Sequence, residues 1–181
     1  RSNGGVRFNN SATSGTIDGC LFEGNEGLNS TSNGGGAALV LRYGVTVDIT
    51  NTDFIDNVAS LTSGTMYGGG AIWSWSYAPS PENTVTIYNS SFDGNQSDGH
   101  AGAMYFNYTN ATLGNVEVQN NTAAGVGGAM FVIGTTLTMS TTDIINNSGT
   151  PYGGGVYVTG TSPVTATSCD LYGTSPDDTY E

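Results

Sequence analysis

The sequence predicts an all-β protein: a right-handed parallel β-helix of about six turns, with three strands to a turn. Three observations predict it. A pair of small residues followed by an apolar run recurs six times, as Gly4-Gly5-Val6, Gly36-Ala37-Ala38, Gly70-Ala71-Ile72, Gly102-Ala103-Met104, Gly128-Ala129-Met130 and Gly154-Gly155-Val156. An aromatic or aliphatic residue three positions before an Asn alternates with it: Phe22 and Asn25, Phe54 and Asn57, Phe92 and Asn95, Val118 and Asn121, Ile144 and Asn147, with Leu171 and Thr174 as a worn copy. No window carries sustained apolar residues at i, i+3, i+4 and i+7, whereas short alternating runs lie between Gly, Asn, Ser and Pro. A fixed alternation of two motifs means one supersecondary unit stacked on itself.

The first strand of each unit follows the small-residue pair. Side chains alternate faces along a strand. Val6, Ala38, Ile72, Met104, Met130 and Val156 are expected inside, with Phe8, Val40, Ser74, Phe106, Val132 and Val158 two residues on. The opposite column, Arg7, Leu39, Trp73, Tyr105, Phe131 and Tyr157, is expected outside. The second strand places Val47/Ile49, Val85/Ile87, Leu137/Met139 and Val164/Ala166 inward. Thr16, Asp48, Thr86, Thr112, Thr138 and Thr165 then stack outward. The third strand carries the Phe22-to-Leu171 column inward and ends at the Asn column, whose amides are expected to hydrogen-bond from turn to turn. Asn also tolerates a left-handed corner. The minimal unit is 26 residues. Extra residues fall at about 26–34, 58–68 and 76–83, and the last of these is a Pro-braced loop beside Trp73 and Trp75. The 181 residues are expected to form one domain, a piece of a longer chain.

Fifteen acidic residues against three basic ones give a net charge of −12. That balance excludes nucleic acid and anionic membrane surfaces as partners, since both require a basic footprint. No apolar run reaches the length of a membrane span. The low charged content, with abundant Gly, Ser, Thr and Asn, points to an extracellular or cell-surface protein. Eight N-x-S/T sequons, Asn9, Asn29, Asn89, Asn95, Asn107, Asn110, Asn120 and Asn146, make it a candidate glycoprotein. Cys20 and Cys169 share a column five turns apart, about 24 Å, too far for a disulfide within one chain.

The paired motifs, carried by Gly69-Gly70-Ala71-Ile72 with Phe92 and Asn95 and by Gly127-Gly128-Ala129-Met130, resemble the repeat of the polymorphic outer-membrane proteins. The resemblance implies a β-helical surface adhesin. Pectin-degrading β-helix enzymes are a second comparison. Asn51-Thr52-Asp53, Gly99-His100-Ala101 and Asp177-Asp178 echo their elements, but the order differs and the basic element is missing.

The expected function is therefore non-catalytic adhesion or assembly. Its candidate binding surface is the apolar stripe Leu39, Trp73, Trp75, Tyr105, Phe131 and Tyr157, extended by the 76–83 loop. Such stripes mark interaction sites, although cross-turn stacking alone also accounts for them. The expected partners are other protein subunits or surface glycans, with end-to-end or lateral self-assembly through the open strand edges. No cofactor is expected, apart from calcium at the stacked acidic residues Glu117, Asp143 and Asp170, where an ion would relieve like-charge repulsion. A polysaccharide-processing hydrolase or lyase is the alternative. Ice binding, through the Thr column, is the third reading.

Overall fold

β-Branched residues at alternate positions favour a pleated backbone with one buried face. A computed structural model of the chain describes residues 5–11, 13–29, 35–61, 67–77 and 82–175, and these form strands joined by turns, with no helix among them. Every strand pairing is parallel. The first sheet runs through Val6–Asn9, Leu39–Arg42, Ile72–Trp75, Met104–Asn107, Met130–Ile133 and Val156–Thr159 in that order. The second runs through Ser14–Asp18, Thr46–Thr50, Asn83–Asp93, Thr109–Gln119, Thr136–Ile145 and Val164–Thr167, joined by Leu21–Glu23, Asp53–Ile55 and Asp170–Tyr172. Short strands at Glu26–Asn29, Val58–Leu61, Gln96–Ser97 and Thr122–Ala123 form a third sheet, and Gly35–Gly36 with Gly68–Gly69 a fourth. Each copy of the unit thus lies between the copy before it and the copy after it.

The core follows the alternation in the inner copies, whereas Val6, Val158, Val164 and Leu171 of the first and last copies, expected inside, are exposed. Ile72, Met104, Phe106, Met130 and Val132 from the first sheet meet Val47, Ile49, Val85, Ile87, Leu113 and Leu137 from the second in one buried cluster. Phe22, Phe54 and Phe92 stack at 4.8 and 4.7 Å with planes 3° apart, which is the strand spacing itself. The expected Thr column is in register, Thr16, Asp48, Thr86, Thr112, Thr138, Thr165.

Three details depart from the expected arrangement. Leu39 pairs with Val6 on one side and Ile72 on the other, so it is buried in the main core, and Val40 is the residue level with Trp73. The extra residues of the early copies are shared unequally around this strand, so the Gly36-Ala37-Ala38 motif lies one residue out of register with its neighbours. Next, the second and third strands are continuous in three copies, bending at Asn89, Asn115 and Thr141, where φ is 50°, 52° and 48°. Finally, the left-handed corner falls on the residue before each column Asn, at Gly24, Asp56, Gly94, Asn120 and Asn146. The column Asn residues are there for hydrogen bonding.

That ladder is continuous. The Nδ2 groups of Asn25, Asn57, Asn95 and Asn121 donate to the Oδ1 of the next Asn at 2.8–2.9 Å. The backbone N–H of each donates to the same oxygen. From Asn57 onward, Nδ2 also donates to the carbonyl of Phe22, Phe54, Phe92 or Val118 in the preceding copy. A parallel hydroxyl column explains the cysteines. The hydroxyls of Thr52, Ser90 and Thr142 donate to carbonyls two residues back, and the Sγ atoms of Cys20 and Cys169 do the same at 3.3 and 3.4 Å. Both cysteines are free thiols. The glycine motif has its own cause: a Cβ on Gly128 would run into the Gly154 carbonyl and the Ser148 backbone.

Replacing Asn121 with Ala leaves the buried N–H of Asn95 and one hydrogen of its Nδ2 without an acceptor, while the other still reaches the Phe54 carbonyl. The variant should lose about 3 kcal/mol of unfolding free energy. Asn25→Ala, at a half-buried position with fewer bonds, should lose clearly less. Urea titration of both variants measures the difference.

Candidate functional site

The column expected outside is largely inside. Trp73, Tyr105 and Phe131 are 1%, 1% and 5% exposed, while Trp75 and Tyr157 are half-buried. They belong to a second apolar cluster with Val40, Ala101 and Val126, packed on the outer face of the first sheet. The cover comes from the Gly-rich segments that precede the small-residue motif. The His100 ring stacks on Phe131 at 4.9 Å and occupies the space a Cβ on Gly125 would fill. Strand alternation correctly put these rings on the face away from the main core. It carried no information about a second layer folding over that face. A signal was present: His100, Val126 and Tyr152 recur at the 26-residue period among glycines.

The rings form a ladder. Centroids are 6.4 Å apart for Trp73 and Tyr105, 5.1 Å for Tyr105 and Phe131, and 5.5 Å for Phe131 and Tyr157. Burial pushes the Tyr105 phenol well above its ordinary value. At the early end Arg42 lies over the rings of Tyr43, Trp73 and Trp75 at 4.6, 5.3 and 5.3 Å, and its Nη2 donates to the Tyr43 hydroxyl at 2.6 Å. Tyr77 packs edge-on against Trp75. The rest of the expected 76–83 binding loop, at 78–81, lies outside the described residues. Buried Arg42 Nε, Trp73 Nε1 and Asn107 Oδ1 make no hydrogen bond.

Towards the later copies the ladder opens into a groove of about 580 Å³. Phe131, Ile133, Val126 and Tyr157 line it with Pro151 and Thr159, and Tyr67, His100 and Tyr152 stand around it. Tyr67 and Tyr152 are 40% and 47% exposed. None of the lining residues is charged. Of the six residues expected to bind, only Phe131 and Tyr157 line the groove. Leu39 is in the main core, and Trp73, Trp75 and Tyr105 lie further along the ladder.

A second concavity, of about 390 Å³, lies along the bend of the long strands, lined by Asp53, Asn89, Ser91, Asn115, Glu117 and Asp143 among others. Glu117 pairs with Asp143, and Asp143 with Asp170, in neighbouring strands as expected. Among the described residues no three His, Cys, Asp or Glu side chains come together as a metal site. The Asn51-Thr52-Asp53 element serves the scaffold: Asn51 donates to Asp18, Thr52 sits in the hydroxyl column, and Asp53 accepts from Ser91 at 2.6 Å. Asp177 and Asp178 lie outside the described residues. The outward Thr face is not flat, because the Tyr88 ring lies across Gly114. No described helix is long and apolar enough to cross a membrane. Compared with known proteins, the chain matches no family model, no curated protein and no solved structure.

His100 gives this face a pH dependence. Its Nδ1 accepts the Val126 N–H at 3.1 Å, and burial holds its pKa below the ordinary value. The folded state therefore favours the neutral ring. That stability is fully present above about pH 6.5, the usual unfolded value, and falls as pH drops below it towards the folded value. Thermal unfolding from pH 7.5 to 5 should show a larger fall in Tm for the parent than for His100→Phe, which keeps the stack without the titration.

Proposed function

We propose that the chain is a right-handed parallel β-helix that acts by binding, without catalysis, as an extracellular surface protein in adhesion or assembly. The coiled reading is supported by strands that each pair in parallel with the preceding and following copies. The hand follows from the strong general preference for right-handed crossovers between parallel strands. The resemblance of the two motifs to the polymorphic outer-membrane repeat agrees with this reading. The observation that carries the function is the uncharged aromatic groove beside Phe131 and Tyr157, rimmed by the half-exposed Tyr67 and Tyr152. A concave apolar floor with a few polar groups is the usual form of a ligand site, and aromatic anchors dominate binding energies.

One observation favours the polysaccharide-processing alternative. Asp53 and Glu117 line one groove on strands separated only by that of Ser91, which sets their backbones about 9.6 Å apart; inverting hydrolases hold their two carboxyl groups about 6.5–9.5 Å apart. Release of reducing ends from plant or bacterial polysaccharides, abolished by Glu117→Gln, would establish it in place of binding.

The binding reading is tested with a Tyr67→Ser/Tyr152→Ser double variant on arrays of extracellular proteins and surface glycans. The parent should bind at least one component, and the variant should bind it about tenfold or more weakly with an unchanged circular dichroism spectrum. Equal binding by the two proteins would remove the groove from the function.

A further inference from the structure

We propose that the groove beside Phe131 and Tyr157 takes a neutral, hydroxyl-rich glycan, with the His100 Nε2–H as a hydrogen-bond donor to it. This rests on the groove being the binding surface and names the class of its ligand.

Charge is the first argument. The chain carries fifteen acidic residues, yet none lines the groove, and none of its three arginines does. An anionic ligand would meet no counter-charge there and would approach against a net charge of −12. A cationic ligand would meet no carboxylate. The Phe131 ring offers little in its place. Phe131 has near-parallel neighbours in Tyr105 at 5.1 Å, His100 at 4.9 Å and Tyr157 at 5.5 Å, so its faces are occupied. It lines the groove with its edge, which is the positive part of the ring quadrupole. Cations are bound by ring faces, whereas the positive edge favours oxygen atoms such as hydroxyls.

The donor pattern is the second argument. With Nδ1 accepting from Val126 N–H, the neutral imidazole of His100 carries its proton on Nε2. That makes Nε2 the ring's donor, on a residue that lines the groove. Thr150 and Thr159 add hydroxyls, and Tyr67 adds a phenol, beside the more buried apolar lining of Phe131, Val126 and Ile133. An apolar floor inside a ring of hydroxyls and one N–H matches a pyranose, which has C–H faces and a hydroxyl rim. The volume lies within the usual range for small-ligand sites, about 300–1,000 Å³.

The test is calorimetry of the whole chain with neutral tetrasaccharides of β-glucan, mannan and chitin, and with oligogalacturonate as the acidic counterpart. Ile133→Trp fills the groove from a half-buried position, and His100→Phe removes the donor while keeping a ring on Phe131. At least one neutral series should bind. Its affinity should fall about tenfold or more in Ile133→Trp and about three- to tenfold in His100→Phe. Binding of oligogalacturonate alone would overturn the ligand class. So would binding of neither sugar while a protein on the arrays still depends on Tyr67 and Tyr152; that result would leave the groove as the binding surface. Sugar binding untouched by Ile133→Trp and by the tyrosine double variant would overturn both readings.

Discussion

The hydrogen-bonded column from Asn25 to Asn147 is the constraint on which the rest depends. Each of its inner members is buried, and each Oδ1 accepts from both the backbone and the side chain of the preceding Asn. A buried amide left unpaired is expensive, so a shift of one copy against its neighbour would break several bonds at once. The column therefore holds the register of all the sheets. It also sets the distance between copies, and the phenylalanines three residues earlier stack at that same distance. Apolar burial supplies the drive for packing, and the amides select one alignment out of many similar ones.

Small residues do the complementary work. Where one copy's backbone approaches the next most closely, at Gly70, Gly102 and Gly128, there is no space for a Cβ. Elsewhere the space beside a glycine is filled by a ring, Tyr88 across Gly114 and His100 beside Gly125. The second arrangement links scaffold to surface. His100 reaches Phe131 because Gly125 leaves room for it, and with Ala101 and Val126 it helps turn an outward row of rings into a second buried layer. The groove is the stretch where that layer is incomplete.

The proposed binding surface is thus a continuation of a stabilising element. Trp73 and Tyr105 are closed in, and Phe131 and Tyr157 present what is left of the same ladder beside Tyr67 and Tyr152. The stacking that stabilises the ladder also determines which part of each ring is on offer, and edges suit different ligands from faces. A rigid floor of this kind loses little side-chain freedom when a ligand binds.

The sequence by itself determined the all-β class, the repeat, most of the inward columns of the inner copies and the asparagine ladder, because each is a local consequence of two-residue alternation repeated at a nearly constant interval. Phe22, Phe54 and Phe92 could be placed inside from spacing alone. The tertiary structure decided what alternation cannot encode. Leu39 is inside and Val40 level with Trp73 because pairing with both neighbours settles register where loop lengths vary. Trp73, Tyr105 and Phe131 are covered because segments carrying His100 and Val126 fold across them. A strand's pattern says which side chains share a face; whether that face meets water depends on what the rest of the chain lays over it.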